Sequence, residues 1–194
     1  MNAGAFVVQL AMGMHRSVWQ GGVIPWEIAR GRSLEVASRL HPGLTLIAAI
    51  FLHGGLIHLA GNMLYLWVFG PGVEYRLGRG RFLSLYIASG VVGMVAHAYT
   101  NPDSLIPAIG ASGAVAGVLG AYLCLFPKGR IRSLLVLIIF LSTVDVPAGA
   151  FIGVWVVFHA VAALMAGETA VAIFAHLGGF IVGCIAAERW RRKE

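Results

Sequence analysis

Charge is scarce in this 194-residue chain: 11% of the residues are Asp, Glu, Lys or Arg, and only eight are acidic. Soluble domains average about 25% charged, and with 59% hydrophobic residues the composition excludes an ordinary water-soluble globule. Cysteine is scarcer still. Cys124 and Cys184 both fall inside apolar stretches, which excludes a disulfide framework and leaves two buried, inert thiols. The first fourteen residues lack a basic leader and a clear cleavage site, so no signal peptide is expected.

What the chain has is long apolar runs punctuated by short basic clusters. The net charge of +6 sits in those clusters, so the basic residues orient helices in a membrane and do not mark a nucleic-acid surface. At about 20 residues per crossing, the length accommodates five or six spans. Residues 1–14 supply an apolar patch too short to cross and read as a short or truncated first span. Residues 15–43 mix Arg, Glu, Trp and Pro and predict an interfacial loop with short amphipathic helices, continuing to residue 53. The next 27 residues, Leu44 to Gly70, carry no formal charge, and the span within them is expected to start near Gly54-Gly55.

Further spans are expected at Phe82–Tyr99, Ser112–Phe126, Ala148–Leu164 and Ala170–Ala187, with a membrane-associated linker before Ala148. From residue 71 onward the connections hold three, none, three, none and four Lys or Arg. That alternation predicts a cytoplasmic C-terminus, with the 71–81 and 127–132 connections on the same side. The expectation is one all-α domain over 1–194, its helical core at 54–190.

Polar groups inside spans are costly and therefore conspicuous. Ser112 opens an apolar run after Gly110-Ala111, at a helix N-terminus whose free N–H groups favour developing negative charge. His58 and Asn62, four apart, share one face of their helix. His176 lies in the last span, while His53, His97 and His159 complete the intramembrane inventory, with His53 expected near a cavity mouth. Ser112 is 16 residues from Lys128, His176 is 13 from Arg189 and His58 is 16 from Glu74, placing the three at about 24, 20 and 24 Å from one face. They share a level.

Meeting across that level requires helices in near backbone contact. Gly113, Gly117 and Gly120 make one small-residue row beside Ser112, and Gly179 and Gly183 make another from His176. The chemistry of such a set is acyl transfer. His176 would take the Ser112 proton and return it to the leaving amine, with the Ser112 N–H, the Asn62 amide and His58 at the oxyanion. No acid stands at this depth, so a dyad is expected. No metal site and no cofactor are expected.

FLHGGLIHLAGNMLYLWVFG at 51–70, EYRLGRGRF at 74–82, GASGAVAGVLGAYL at 110–123 and AHLGGFIVG at 175–183 occur in order. Together they resemble the rhomboid family of intramembrane serine proteases, over about Gly22 to Trp190. The resemblance implies a polytopic helical bundle of six spans, with Ser112 as nucleophile, His176 as base, and Asn62 and His58 at the oxyanion. It also implies substrates that are single-span membrane proteins, cut near the outer end of their span, in a multi-pass cell-membrane enzyme whose site opens to the non-cytoplasmic side. Residues 148–164 and 165–171 would then be the mobile fifth helix and cap loop. Ala116 stands one turn after Ser112, leaving Val or Ile neighbours to hold His176. The rival readings are a catalytically silent relative that binds transmembrane segments and a small His-lined transporter; nothing in the sequence indicates an oligomeric state.

Overall fold

A computed structural model describes residues 1–34, 39–137, 140–165 and 172–190. The chain is mostly helical. Helix α1 (Asn2–Met12) is followed by three short helices, α2 (Met14–Gly21), α3 (Pro25–Arg30) and α4 (Pro42–Ala48), and by a single 3₁₀ turn at Ala49–Phe51. The long helices are α5 (Leu56–Leu77), α6 (Arg79–Thr100), α7 (Ser112–Leu125), α8 (Ala148–Met165) and α9 (Ala172–Trp190). A two-stranded sheet, β1 (Arg130–Leu137) with β2 (Phe140–Pro147), separates α7 from α8.

Among the described residues three helical segments are long and apolar enough to cross a membrane: Leu56–Leu77, Arg79–Thr100 and Ile173–Trp190. Shorter apolar helical segments lie at Asn2–Met12, Pro42–Phe51, Ser112–Leu125 and Ala148–Phe158. Side chains such as Trp67, Tyr75 and Val157 stand largely exposed on the outer faces, as lipid-facing residues do.

Helix α7 is the hub. Every residue from Gly113 to Ala121 is buried, and the helix packs against α5, α6, α8 and α9. Its partners share one core containing Phe69, Val73, Leu85, Leu119, Ile152 and Trp155. At 14 residues α7 is about 21 Å long, short of a ~30 Å hydrocarbon core. Its N-terminus therefore starts below the ends of its longer neighbours.

The interfacial loop folds around charge. Glu27 and Arg39, 1% and 2% exposed, pair at 2.6 Å, and the Glu27 carboxylate also accepts the Leu34 N–H. The Arg39 guanidinium donates further to the Trp19 and Gly22 carbonyls. A buried pair survives only when its remaining donors and acceptors are met in this way.

Two connections differ from the sequence expectation. Helix α5 runs through Pro71 to Leu77, where a connection was expected from residue 71 onward. Burial of Phe69, Val73 and Leu77 carries the helix past the proline, as neighbouring helices permit in membranes. The 71–81 connection shrinks to Gly78, whose φ of 83° suits glycine and turns the chain directly into α6.

The second difference is the sheet: Arg130–Leu137 and Phe140–Pro147 pair as antiparallel strands, from Arg130 with Pro147 to Leu137 with Phe140. An apolar, β-branched run of this length is ambiguous by periodicity, and pairing resolves it in favour of strands. The all-α expectation is corrected to this extent. Helix α8 begins at Ala148 as expected, its N–H bonded to the Gly129 carbonyl at 2.8 Å. The cap-loop residues 166–171, the His159 side chain and the charges at 191–194 lie outside the described residues.

Candidate active site

Ser112 is the first residue of α7, half-buried behind the fully buried Ala111. The strand of chain before it is tied down at each step. Val23 and Ala108 exchange backbone hydrogen bonds of 2.9 and 2.7 Å, and the Gly110 N–H donates to the Ala49 carbonyl at 2.9 Å. Gly110 has φ 126°, which favours glycine. A Cβ there would lie 2.9 Å from both Cε1 and Nε2 of His58 and 4.0 Å from Ser112 Oγ. Gly110 thus stands outside the helix seam, in the gap between His58 and the serine.

His58 and Asn62 come from successive turns of α5. The Gly54 N–H donates to His58 Nδ1 at 3.4 Å. That bond keeps Nδ1 unprotonated and puts the ring proton on Nε2, the edge that faces Gly110. Asn62 is 8% exposed, and its Nδ2 donor has no hydrogen-bond partner among the described residues. An amide donor buried without a partner costs about 1–3 kcal/mol. Such a cost marks a group kept ready for something absent.

His176 on α9 is 6% exposed. The Trp155 ring of α8 packs on it with centroids 5.3 Å apart and a 49° tilt. Trp155 provides an aromatic wall for this imidazole. The sequence signal was its place in the span preceding the histidine, but no spacing rule links positions 155 and 176.

The α7–α9 seam is built from glycine. A Cβ on Gly179 would strike the Gly113 carbonyl, one on Gly183 the Gly117 carbonyl, and one on Gly117 would meet the Gly179 carbonyl at 3.0 Å as well as the Ser89 hydroxyl. Gly113 and Gly120 face the Ala175 and Phe180 carbonyls. The two backbones touch along this face, which any side chain would separate.

Ser112, His176, His58 and Asn62 line one cavity of about 820 Å³, with Tyr65 and Trp155 in its wall. Among the described residues no carboxylate lines it, and no three His, Cys, Asp or Glu cluster closely enough to hold a metal. His53 stands elsewhere than expected. It is fully buried behind His58, ring centroids 5.2 Å apart, and does not line the cavity. Cys124 and Cys184 are free thiols on α7 and α9, partly buried.

These elements define a helical membrane protein with a largely apolar cavity, carrying a few polar side chains, walled by α5, α7, α8 and α9. The sequence profile of the rhomboid domain matches residues 41–192. Similar proteins include rhomboid protease GluP of Bacillus subtilis, 47% identical over 78 residues, covering 40% of this chain and 15% of that protein. Rhomboid protein 1, mitochondrial, of Saccharomyces cerevisiae is 35% identical over 151 residues, 73% of this chain and 40% of the relative. The presenilin-associated rhomboid-like protein, mitochondrial, of Homo sapiens is 33% identical over 153 residues, 71% and 35% respectively. The chain belongs to the rhomboid family. It spans between 15% and 40% of the length of these three relatives.

Proposed function

We propose that this protein is an intramembrane serine endopeptidase that cuts membrane-anchored substrates with a Ser112–His176 dyad. The observation that carries the reading is the unpaired Asn62 amide in the same cavity as Ser112, His176 and His58. A hydroxyl and an imidazole can do many things; an amide donor held dry and unsatisfied beside them suits an oxygen whose charge grows during reaction.

In this mechanism Ser112 Oγ attacks the scissile carbonyl carbon as His176 accepts its proton. The carbonyl oxygen becomes an oxyanion, stabilised by the Ser112 N–H, Asn62 Nδ2 and His58 Nε2–H. Collapse breaks the C–N bond, His176 gives its proton to the leaving amine, and an acyl ester remains on Ser112. Water, deprotonated by His176, then hydrolyses that ester and restores the serine. With no carboxylate on the cavity wall, Trp155 takes over the task of orienting the imidazole.

The short α7 fits cleavage below the outer surface, near the end of a substrate's span. Three of the shorter apolar helices, α1, α7 and α8, complete a bundle of six spans, α1 being the short first one. The basic connections lie on the cytoplasmic side and the cavity opens away from it. In a mitochondrial membrane, as the names of two relatives suggest, the basic side would be the matrix side.

The test is reaction of the purified protein with a fluorophosphonate and cleavage of a panel of single-span substrates, with Ser112→Ala and His176→Ala alongside. Labelling and cleavage that vanish in both variants support the proposal. Absence of both in the parent chain sinks it, and a Ser112→Ala protein that keeps full cellular function establishes the catalytically silent role of binding membrane segments.

A further inference from the structure

Helix α1 does not line the cavity, yet one of its faces is pinned to the rest of the molecule. Asn2, Phe6 and Gln9, at 4%, 3% and 1% exposure, follow one another at helical spacing. Leaving either end of a buried amide unmet is costly. For Gln9 one residue meets both: Nε2 donates to the His53 carbonyl at 2.8 Å, and Oε1 accepts the His53 N–H at 2.9 Å. His53 lies between the 3₁₀ turn and α5, where no helix supplies partners for its backbone. Gln9 is the partner.

From this clamp the path to the cavity is short. The His53 ring stands edge-on to Phe6, 6.5 Å at 84°, and edge-on to His58, 5.2 Å at 67°. Its Nδ1 lies 3.3 Å from the Phe51 carbonyl, which can only accept, so Nδ1 carries the proton. The peptide unit joining His53 to Gly54 has its oxygen held by Gln9 and its N–H directed at His58 Nδ1. One planar group therefore connects the Gln9 amide to the nitrogen that fixes the His58 tautomer. On the opposite side the His58 ring is closed in by Gly110.

We propose that Gln9 is a positioning residue of the active site, holding the His53–Gly54 peptide so that its N–H keeps the His58 proton on Nε2, facing the Gly110–Ser112 segment. The inference rests on the reading of His58 as an oxyanion donor and extends the site to a helix that no substrate atom touches.

The experiment uses the full chain in detergent or liposomes. Gln9→Met keeps length and apolar fit while removing both hydrogen bonds; Gln9→Glu keeps the acceptor for the His53 N–H. With ¹⁵N-labelled histidine, His58 in the parent chain shows a single Nε2–H tautomer, and in Gln9→Met the second tautomer becomes populated. The kcat on a single-span substrate and the rate of fluorophosphonate labelling fall together by roughly tenfold, with KM changed less than twofold. Gln9→Glu lies between. In a His58→Ala background the Gln9→Met effect disappears, which a purely structural role would not produce. An unchanged His58 tautomer in Gln9→Met overturns the proposal, as does a loss of labelling rate that persists at full size without His58. If the parent chain neither labels nor cleaves, the protease reading fails, and the tautomer measurement still decides the role of Gln9.

Discussion

Gly110→Ala isolates the fit between the oxyanion side chains and the nucleophile loop. The new methyl would sit 2.9 Å from two ring atoms of His58, about 0.5 Å inside the 3.4 Å at which ordinary contact begins. The backbone is also held at φ 126°, where a residue with a Cβ costs about 1–3 kcal/mol. His58 cannot retreat freely, because the His53 ring stands behind it. The imidazole must therefore tilt, and Nε2 leaves its place beside Ser112. Complete loss of one oxyanion donor costs roughly 10²–10³ in kcat, so a tilted donor should cost about tenfold to a hundredfold. Gly78→Ala is the matched control. It imposes a similar strain at φ 83° with nothing within 4 Å of the added methyl. Both variants should lose a few degrees of thermal stability in detergent, and only Gly110→Ala should lose kcat per labelled enzyme. A Gly110→Ala protein with parental kcat, or a Gly78→Ala protein impaired to the same degree, refutes the placement of His58 at the oxyanion.

Asn62→Ala should lower kcat by roughly 10²–10³ with little change in KM, because its donor is reserved for the transition state; steady-state kinetics on a single-span substrate checks this. Trp155→Ala should slow fluorophosphonate labelling by freeing the His176 ring, whereas Trp155→Phe should retain most of the rate by preserving an aromatic wall. Arg39→Met leaves the Glu27 carboxylate buried without its cation and should cost about 3–5 kcal/mol of stability. Its signature is a lower melting temperature in detergent with kcat per labelled enzyme unchanged.

The site residues were legible because a membrane makes polarity expensive. Ser112, Asn62, His58 and His176 each stand in an apolar run, and counting residues from the charged ends set Ser112, His58 and His176 at one height. The glycine rows were legible for a related reason, since only small residues let two backbones touch where lipid offers no other drive for association. Other features left no local trace. Proline at 71 reads as a stop in any sequence, and only the burial of Phe69, Val73 and Leu77 around it explains why α5 continues. The 133–144 run fits a strand or a membrane-bound linker equally well until its pairing partner is known. Trp155 and Gln9 act across 21 and 44 positions, on His176 and His53, and no periodicity reaches that far. Gln9 did carry one signal, as an amide inside an otherwise apolar N-terminal helix.

The proposed hydrolysis inside a bilayer would pose a problem that the loops of this fold answer. A nucleophile at the top of a short helix must be preceded by chain that is not helical, and non-helical backbone at membrane depth must find its partners within the protein. Here each such segment has one. Gly110 bonds to Ala49, Ala108 to Val23, and His53 to the Gln9 side chain. Residues 1–49, of which none that is described lines the cavity, supply all of these partners. The Gln9 clamp on His53 is therefore a condition for the site, because without it the backbone leading into His58 would be left without partners, whereas the Glu27–Arg39 pair holds the fold of the loop and not the chemistry.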